Sequence, residues 1–429
     1  MKITVIGLGK LGLPLAVQFA TKNNFVVGLE IDIDRVNEIN LGNSPIAEEQ
    51  DLDWKLKEVV NSGYLKAVTD QKHAIADAEI IVVTVPLVTN EEGEPDFSII
   101  DSVTESIGSY ITKGTLVCYE TTVPIGTTRH RFGKRIQELS SFEIGSEVFV
   151  AFSPERVLTG RVFSDLRKYP KIVGGITEKC TLRGIKFYES VIDFDKRDDL
   201  KNANGVWSLG TTEAAEFVKL AETTYRDVNI GLANQFAIHA HKLNLDIQNI
   251  IDASNSQYYS HIHQPGISVG GHCIPVYPHL YLKSDTEASI VKQARIVNKN
   301  MPKFFVQLLL DNVGKITGKQ ILVLGVTYRP NAKETAHSGA YDLQRILLSL
   351  GASPYFHDPL YSDSELRKLG FEPVSVKNDI EVIIIHTDHD EFRKIDFKYY
   401  KKLSFVVDGR GLLGKGFGII NFSELNNTI

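Results

Sequence analysis

The chain has 429 residues, of which 43% are hydrophobic and 23% are charged, and its formal net charge is −6. This length and composition are typical of a globular protein with two or three domains. The negative balance argues against a broad surface for nucleic acid. The three cysteines, Cys118, Cys180 and Cys273, lie far apart and form no Cys/His cluster, which argues against a disulfide framework and a structural zinc site.

The start of the chain leaves no room for a signal peptide, because Met1 and Lys2 lead directly into a strand-like run at residues 3–6. The most apolar run, residues 80–88, is far shorter than the roughly 20 residues that a membrane span requires. We therefore expect a cytoplasmic protein that binds neither membrane nor nucleic acid.

A dinucleotide-binding fingerprint follows the first predicted strand and opens a predicted helix. Its residues are Gly7, Leu8, Gly9, Lys10, Leu11 and Gly12. In the pattern G-x-G-x-x-G the first glycine makes the tight turn, the second admits the pyrophosphate, and the third lets helix and strand pack closely. The amides at the helix N-terminus then face the phosphates.

Glu30 ends the second predicted strand, 18 residues beyond Gly12. An acid at about this distance holds the adenosine ribose hydroxyls and repels a 2′-phosphate, so the sequence favours NAD over NADP. Arg35 lies nearby and acts in the opposite direction. Because strand, fingerprint and acid occur together, a βαβ unit without a nucleotide is the less favoured interpretation.

Three further apolar runs, residues 78–86, 115–122 and 148–155, are typical of strands buried on both faces of a parallel sheet. They deliver a set of residues to the carboxyl edge, where ligands bind in doubly wound sheets. The set is Thr84, Val85, Pro86, Thr121, Thr122, Glu155 and Arg156. Taken alone, Glu155 is equally well a turn or helix carboxylate. We expect Cys118, inside the second run, to be buried and inert.

Residues 211–241 contain no proline and place apolar side chains at helical spacing, which predicts a helix of about 30 residues and about 45 Å. A helix of this length suits a spine that bridges two domains or two subunits. Lys219, Glu222, Thr223 and Arg226 share one of its faces. A solvated face of ion pairs explains these four residues as well as a functional site does.

Cys273 follows Gly266, Gly270 and Gly271, so little side-chain bulk surrounds it. Glycine is used where backbone approaches a ligand closely or adopts strained angles. This pattern predicts a thiol on a sterically open loop, although a lone cysteine is more often a small buried hydrophobe.

A second alternation of strands and helices follows a long predicted helix at residues 288–313. The predicted strands are residues 320–329, 354–358, 382–386 and 405–408, and they indicate a second parallel α/β sheet. This sheet has no G-x-G-x-x-G, but its strand ends supply Arg329 and Arg410, a residue type suited to phosphate. Taken singly, each arginine is more often part of a surface ion pair.

The predicted fold class is therefore α/β, with two Rossmann-like doubly wound parallel sheets joined by a central domain of long helices. We place a dinucleotide-binding domain at residues 1–200, the central helical domain with the cysteine loop at 201–300, and a second α/β domain at 301–429.

Taken together, the motifs resemble the UDP-glucose/GDP-mannose dehydrogenase family from end to end. They are Gly7-x-Gly-x-x-Gly12, Thr121-Thr-Val-Pro124, Ser153-Pro-Glu-Arg156, Lys219-Leu-Ala-Glu222, Gly270-Gly-His-Cys-Ile-Pro275, Tyr328-Arg-Pro330 and Asp408-Gly-Arg410. The Gly-Gly-His-Cys-Ile-Pro wording is most similar to the branch that oxidises UDP-N-acetylhexosamines such as UDP-GlcNAc and UDP-ManNAc.

The resemblance implies two NAD-dependent oxidations at C6 of a nucleotide sugar, from alcohol through aldehyde to carboxylate, for polysaccharide biosynthesis. It implies that Cys273 forms a thiohemiacetal and then a thioester, and that Glu155 is the general base for the water that releases the product. Lys219 matches the lysine that stabilises charge on the C6 oxygen, and Thr122 matches a residue beside the nicotinamide. Thr223 stands where the family has an asparagine and can hydrogen-bond an oxyanion.

The resemblance also assigns binding residues and an assembly. The cofactor set is Gly7, Leu8, Gly9, Lys10, Leu11, Gly12, Glu30, Arg35, Thr84, Val85, Pro86, Thr121 and Thr122. The substrate set is Glu155, Arg156, Val157, Leu158, Lys219, Arg226, Gly270, Gly271, Tyr328, Arg329 and Arg410. The long helix corresponds to the family's dimer spine, so we expect a homodimer or a larger homo-oligomer.

Three positions depart from the family pattern. Tyr277 replaces an aspartate four residues after the nucleophile, Thr223 replaces the asparagine, and Ala336 replaces an arginine that reaches cofactor. Tyr277 cannot act as a carboxylate base, which shifts that work toward Glu155 and Lys219 or changes the pH optimum.

Alternative functions stay open at this point. The sugar nucleotide could be UDP-glucose. A two-electron hydroxyacid or phosphogluconate-type dehydrogenase would share the NAD domain and the long helices, but would need neither Cys273 nor the second sheet. A non-catalytic nucleotide-sugar-binding protein would account for the three departures.

Overall fold

The computed structural model describes residues 1–46, 49–90, 93–374, 379–414 and 418–421. The chain forms two compact units, residues 1–222 and 223–429. Within the described part of the chain, no helix combines the length and the apolar character needed to cross a membrane. The division into three domains at residues 200 and 300 stays a prediction.

The first unit is built on an eight-stranded sheet with the order β10-β9-β8-β7-β4-β1-β2-β3, beside a small antiparallel pair, β5-β6. All neighbours in the large sheet are parallel except β8 and β9. Its strands are β1 (Lys2–Ile6), β2 (Phe25–Leu29), β3 (Leu65–Val68), β4 (Ile80–Val83), β5 (Val88–Thr89), β6 (Pro95–Asp96), β7 (Leu116–Tyr119), β8 (Phe149–Phe152), β9 (Lys171–Gly175) and β10 (Val206–Thr211).

Helices cover this sheet. They are α1 (Gly12–Ala20), α2 (Ile33–Asn40), α3 (Leu52–Asn61), α4 (Gln71–Ala76), α5 (Ser98–Tyr110), a π-helical turn (Thr128–Gly133), α6 (Lys134–Ser140), α7 (Val162–Lys168) and α8 (Glu178–Val191). Local chemistry sets several starts: the Asp32 carboxylate caps α2, and the Thr177 hydroxyl caps α8. Two hydrophobic cores form, one on each face of the sheet's buried β-branched strands.

The second unit contains a five-stranded sheet with the order β12-β11-β13-β14-β15, parallel except for the β14–β15 pair. Its strands are β11 (Gln320–Leu324), β12 (Ser353–His357), β13 (Val382–Ile385), β14 (Phe405–Asp408) and β15 (Gly418–Asn421). The remaining helices are α9 (Thr212–Lys242), which starts in the first unit, then α10 (Ile247–Asn255), α11 (Tyr277–Ser284), α12 (Ser289–Val313), α13 (Gly339–Ser349), α14 (Asp363–Lys368) and the 3-10 turns Asp390–Lys394 and Phe397–Tyr399.

The predicted α/β class with two parallel-rich sheets and long connecting helices is confirmed. Five strands, β4, β7, β8, β11 and β13, are shorter than the predicted apolar runs, whereas β1, β12 and β14 are not. The antiparallel strand pairs β5–β6, β8–β9 and β14–β15 were not predicted.

The long helix is confirmed as α9, which has 31 residues, and the hydroxyl of Thr211 accepts a hydrogen bond from Ala214 N–H at its start. Its apolar side chains, however, do not all enter the core. Phe217, Tyr225, Leu232 and Phe236 are 39–56% exposed and share one stripe of the helix.

Candidate active site

The turn after β1 is built for close approach by a ligand. Gly7 has a φ of +92°, a conformation that side chains resist. A Cβ on Gly12 would lie 1.9 Å from the Gly7 carbonyl oxygen, whereas a Cβ on Gly9 would meet no atom within 4 Å. Gly7 and Gly12 therefore form the turn itself, and Gly9 borders open space beside α1.

Glu30 is tied to the same turn. One carboxylate oxygen accepts the Leu8 N–H at 3.0 Å, and the other accepts the Ile31 N–H at 2.8 Å. The Arg35 guanidinium lies 3.8 Å from the Glu30 carboxylate. The arginine thus lies beside the acid, and its positive charge is partly engaged by Glu30.

A cleft of ≈ 430 Å³ opens beside this turn, and Gly7, Glu30, Ile31 and Val85 are among the residues that line it. Its lining also includes the serine hydroxyls of α5 at Ser98, Ser102 and Ser106. Open space at Gly9, amides at the start of α1 and an acid at the cleft fit the pyrophosphate and adenosine ribose of NAD. The residues present therefore suit the cofactor that the fold family implies.

The carboxyl ends of β4 and β7 meet at the same edge. The Thr84 hydroxyl donates to the carbonyl oxygens of Ile6 and Gly7, and the Thr121 hydroxyl donates to the Val85 carbonyl at 2.6 Å. Thr122 is buried. Lys10 and Pro86 are exposed, and Leu11 is partly buried.

Glu155 follows β8 and is only 8% exposed. Its carboxylate accepts the Lys171 ammonium at 2.6 Å and the Arg156 N–H at 2.8 Å. The Lys219 ammonium donates to the main-chain carbonyl of Glu155 at 2.7 Å. The structure therefore brings the predicted residues Glu155 and Lys219 together, and it adds Lys171, which the sequence analysis missed.

Lys171 serves a second carboxylate, Glu120, at 3.0 Å. The Tyr188 hydroxyl donates to the other Glu120 oxygen at 2.6 Å. Burial raises the pKa of Glu120 to about 7, with Lys171 opposing and Glu155 reinforcing the shift. Burial also lowers the pKa of Lys171, but the two carboxylates outweigh it and the net shift is upward. We call these residues, Glu120, Glu155, Lys171 and Tyr188, the buried charge cluster.

The loop after Glu155 is held from several sides. Arg156 forms an ion pair with Glu222 and donates to the Pro170 carbonyl at 3.2 Å. The Leu158 N–H donates to the Asp165 carboxylate at 3.1 Å, although its side chain is 41% exposed. Val157 packs against the core. This arrangement fixes the backbone of the predicted substrate residues 155–158.

The predicted functional face of α9 has a mixed character. Lys219 and Glu222 are engaged by the loop after β8, and Thr223 is buried, while Arg226 is exposed. The interpretation as a solvated face of ion pairs therefore does not apply to the buried Thr223, whereas Lys219 and Glu222 are partly exposed and contact the loop after β8.

The Cys273 thiol lies at the entrance to α11 and is partly exposed. Its carbonyl accepts the N–H groups of Val276 and Tyr277. Gly271 has a φ of +97°, and its N–H donates to the Ala336 carbonyl at 2.8 Å. The predicted open loop is thus present, while the other cysteines, Cys118 and Cys180, are fully buried.

This loop packs directly on the sugar-nucleotide residues predicted for the second unit. A Cβ on Gly270 would lie 2.5 Å from Tyr328, and one on Gly266 would lie 2.5 Å from the Arg410 guanidinium. Arg410 also donates to the His386 carbonyl at 2.8 Å, and burial lowers its pKa. A side chain at Gly270 or Gly266 would clash. These glycines therefore let the loop that carries Cys273 pack against Tyr328 and Arg410, which follow strands of the second sheet.

Arg329 also belongs to this region. Its Nε is buried and has no hydrogen-bond partner within the described ranges. A buried guanidinium nitrogen without an acceptor is costly, and an anionic ligand would supply one.

A polar network, also missed by the sequence analysis, holds the cysteine loop at both ends. Arg295 donates to the Asp227 carboxylate at 2.7 Å and to the Ile274 carbonyl at 3.3 Å. Asn298 joins Asp227 to Asn234. The Asn234 amide oxygen accepts the Gly266 N–H at 2.9 Å. Polar residues at helical spacing on α9 and α12 were the signal that could have found it.

Domain models of the UDP-glucose/GDP-mannose dehydrogenase family match three segments: the NAD binding domain over residues 1–192, the central domain over 213–300 and the UDP binding domain over 322–415.

Two curated relatives carry the name UDP-N-acetyl-D-mannosamine dehydrogenase. One, from Pyrococcus horikoshii, is 33% identical over 96% of this chain and 96% of its own length. The other, from Campylobacter jejuni, is 36% identical over 82% of this chain and 84% of its own length. A solved structure of a UDP-D-ManNAc dehydrogenase from Pyrococcus horikoshii superposes with a TM-score of 0.85 at 31% identity, covering 96% of each chain.

The matches run through both units and include the segments that carry the glycine turn, the cysteine loop and the second sheet. The chain belongs to the UDP-glucose/GDP-mannose dehydrogenase family, and with that family's NAD-binding, central and UDP-binding domains it is a nucleotide-sugar dehydrogenase.

Proposed function

We propose that this chain oxidises C6 of a UDP-N-acetylhexosamine to the uronate in a four-electron, NAD-dependent reaction. The observation that carries the proposal is the position of Cys273, on a glycine-lined loop that packs against Tyr328 and approaches Arg410. The thiol is free and partly exposed, which is the access that a nucleophile requires.

When bound, NAD supplies the hydride acceptor for both oxidations. The Cys273 thiolate adds to the aldehyde carbon and makes it tetrahedral, which is the state from which a second hydride can leave. The carbon–sulfur bond then persists as a thioester until water breaks it and releases the thiolate.

Residues of the first unit supply the accompanying acid–base chemistry. Glu155 accepts the proton of the attacking water, and Lys219, tethered to the Glu155 carbonyl, stabilises negative charge on the C6 oxygen. Thr122 lies at the cofactor edge, and Thr223 supplies a hydroxyl where the family has an amide. Because Tyr277 stands in place of a carboxylate, Glu155 carries the proton removal in this proposal.

The UDP group is assigned to Arg329, Arg410 and Tyr328, since guanidinium groups suit phosphate and an aromatic ring suits a base. The two curated relatives that act on UDP-N-acetyl-D-mannosamine support an N-acetylhexosamine over glucose. The product is a uronate for polysaccharide biosynthesis.

A homodimer is supported by the apolar stripe on α9, formed by Phe217, Tyr225, Leu232 and Phe236. Exposed aromatic and aliphatic side chains in one row are typical of a surface that a second copy covers. The cytoplasmic location stays a prediction.

The test is the yield of NADH per sugar. With a panel of UDP-ManNAc, UDP-GlcNAc, UDP-GalNAc, UDP-glucose and GDP-mannose, one UDP-N-acetylhexosamine should give two NADH per sugar consumed. Cys273→Ser and Cys273→Ala should each lower kcat by at least about 10³-fold, because the nucleophile is lost. Cys180→Ala, at a buried thiol in α8, is the matched control and should keep its activity.

The alternatives give different results. One NADH per sugar with an active Cys273→Ala variant identifies a two-electron dehydrogenase. Binding of NAD and UDP-sugar by calorimetry without any NADH identifies a non-catalytic binding protein. Two NADH from UDP-glucose alone identifies a UDP-glucose 6-dehydrogenase.

A further inference from the structure

The buried charge cluster contains three groups that the proposed reaction does not use. Glu120 ends β7, Lys171 starts β9, and Tyr188 lies on α8, and all three are at most 4% exposed. Two carboxylates and one ammonium leave the cluster with more negative than positive groups. Ionic groups in a protein interior cost several kcal/mol each to desolvate, and apolar side chains of similar volume are often at least as stable. Stability alone therefore does not explain the cluster.

Two lysines contact Glu155 at different groups. Lys219 binds the main-chain carbonyl of Glu155, whereas Lys171 binds the carboxylate. The second carboxylate oxygen is occupied by the Arg156 N–H. Both oxygens of the carboxylate thus have a donor, and the side chain is held in one orientation.

Other charges and titratable groups face the cluster from each neighbouring strand and helix. Cys118 lies on β7, two residues before Glu120. Burial raises the pKa of its thiol, so the thiol stays neutral. Burial likewise raises the pKa of Tyr188, so its hydroxyl stays a donor to Glu120. Lys171 also lies 4.7 Å from the centre of the Tyr188 ring. The charges that act on Glu155 from within the cluster are therefore those of Lys171 and Glu120, with opposite signs.

We propose that Lys171 is a positioning residue that orients the Glu155 carboxylate and holds a positive charge beside it, and that Glu120 moderates this effect by sharing the same ammonium. The inference rests on the proposed role of Glu155 as the base in thioester hydrolysis. Lys171 and Glu120 act through Glu155 and take no part in the chemistry themselves.

The experiment measures the pH dependence of hydrolysis in the full-length enzyme with its UDP-N-acetylhexosamine and NAD. A base must be deprotonated to act, so hydrolysis rises with pH through its titration. Lys171→Met removes the positive neighbour, makes protonation of the base easier, and should move this rising limb to higher pH by about 1 unit or more. Glu120→Gln removes the negative neighbour and should move the limb to lower pH.

The acyl adduct on Cys273 gives a second readout. At a pH below its shifted limb, the Lys171→Met enzyme should accumulate a protein species whose intact mass is increased by the bound sugar nucleotide, since release is slowed and formation is not. Glu120→Gln should show less of this adduct than the wild-type enzyme at the same pH.

Three controls separate tuning from folding. Lys171→Arg keeps the positive charge and should restore a profile close to that of the wild type. Lys319→Met breaks a partly buried ion pair with Glu381 in the second unit and should leave the limb unmoved. If Lys171→Met does not fold, the double variant Lys171→Met/Glu120→Gln, which buries one carboxylate fewer, replaces it, and its limb should lie at higher pH than that of Glu120→Gln alone.

Opposite shifts in the two variants support the inference. Shifts in the same direction, or unmoved limbs with only a lower Tm, overturn it and make the cluster purely structural. Failure of the proposed function is a different result: the wild-type enzyme would then give neither two NADH per sugar nor an adduct on Cys273.

Discussion

The two sheets of this chain have a similar turn after their first strand, but the connection from that turn to the next helix differs in length. A glycine with positive φ follows the first strand of each sheet in chain order. Gly7, at +92°, follows β1, and Gly325, at +89°, follows β11. In the first unit the helix follows almost at once, at Gly12, so its N-terminal amides face the turn. In the second unit the helix starts only at Gly339, and the intervening segment carries Tyr328 and Arg329. Under the proposed function, the length of this connection determines whether phosphate would meet backbone amides, as at α1, or guanidinium groups, as at Arg329.

Arg410 gives the strongest test of this difference. In the proposed site the second sheet binds phosphate through charged side chains, whereas the first sheet binds it through backbone amides. Arg410→Met should raise the Kd for UDP by about 100-fold, the loss expected for a charge-assisted phosphate contact of about 2–3 kcal/mol. Isothermal titration with UDP measures it, and titration with NAD should give an unchanged Kd.

Arg345→Met is the matched control, since Arg345 is 73% exposed on α13. A similar loss of UDP affinity in this variant, or an equal loss of NAD affinity in Arg410→Met, would contradict the division between the two sheets.

The second and third glycines of the fingerprint, Gly9 and Gly12, should separate binding from folding. Gly12→Ala forces a methyl group against the Gly7 carbonyl and should destabilise the first unit by about 1–3 kcal/mol. Gly9→Ala projects into open space and should leave stability unchanged, while weakening NAD binding by roughly tenfold because the methyl group crowds the pyrophosphate. Urea unfolding and NAD titration of both variants test the pair, and equal loss of stability would refute it.

Buried ionisable groups also differ between the units. Burial raises the pKa of Glu216 to about 7 in the first unit, even though it accepts the Gly126 and Thr128 N–H groups. In the second unit, burial lowers the pKa of His386 to about 3, and Asp358, although burial raises its pKa, ends with a lowered value through His389 and backbone amides. Among these three groups, only Glu216 therefore takes up a proton on folding near neutral pH.

The direction in which pH changes the stability of the first unit follows from the raised pKa of Glu216. The Glu216 carboxyl takes up a proton more readily in the folded state, so its contribution to stability is full below about pH 4.5 and is lost as pH rises through about 7. The urea midpoint of the first unit should fall between pH 5 and pH 8 by an amount equivalent to about 1–2 kcal/mol. Both tryptophans, Trp54 and Trp207, lie in this unit, so their fluorescence reports on it alone. Glu216→Gln should reduce the pH dependence, and an unchanged dependence would exclude Glu216 as its source.

Features formed by residues close together in the sequence could be predicted, whereas contacts between residues far apart in the sequence could not. The glycine turn, the cysteine loop and the second sheet are local patterns, and they were found. Lys171 and Glu120 are 51 residues apart, and Arg295 and Asp227 are 68 apart, so only the folded chain reveals that they pair. The long helix was predicted as a spine between domains or subunits, but its exposed apolar residues were not identified, because helical spacing alone does not distinguish buried from exposed side chains.

Glu30 offers the smallest effect and the finest test of the first sheet. Its carboxylate lies at the end of β2 beside the cleft, and Arg35 is its nearest basic neighbour. Glu30→Gln keeps the shape but removes the charge that repels a 2′-phosphate, so the ratio of NADP to NAD efficiency should rise by about tenfold, or about 1.4 kcal/mol. Arg35 then becomes free to attract the phosphate, and Glu30→Gln/Arg35→Gln should lose most of that gain. Steady-state rates with each cofactor measure the ratio; a single variant that favours NADP no more than the wild type would mean that this acid does not select the cofactor.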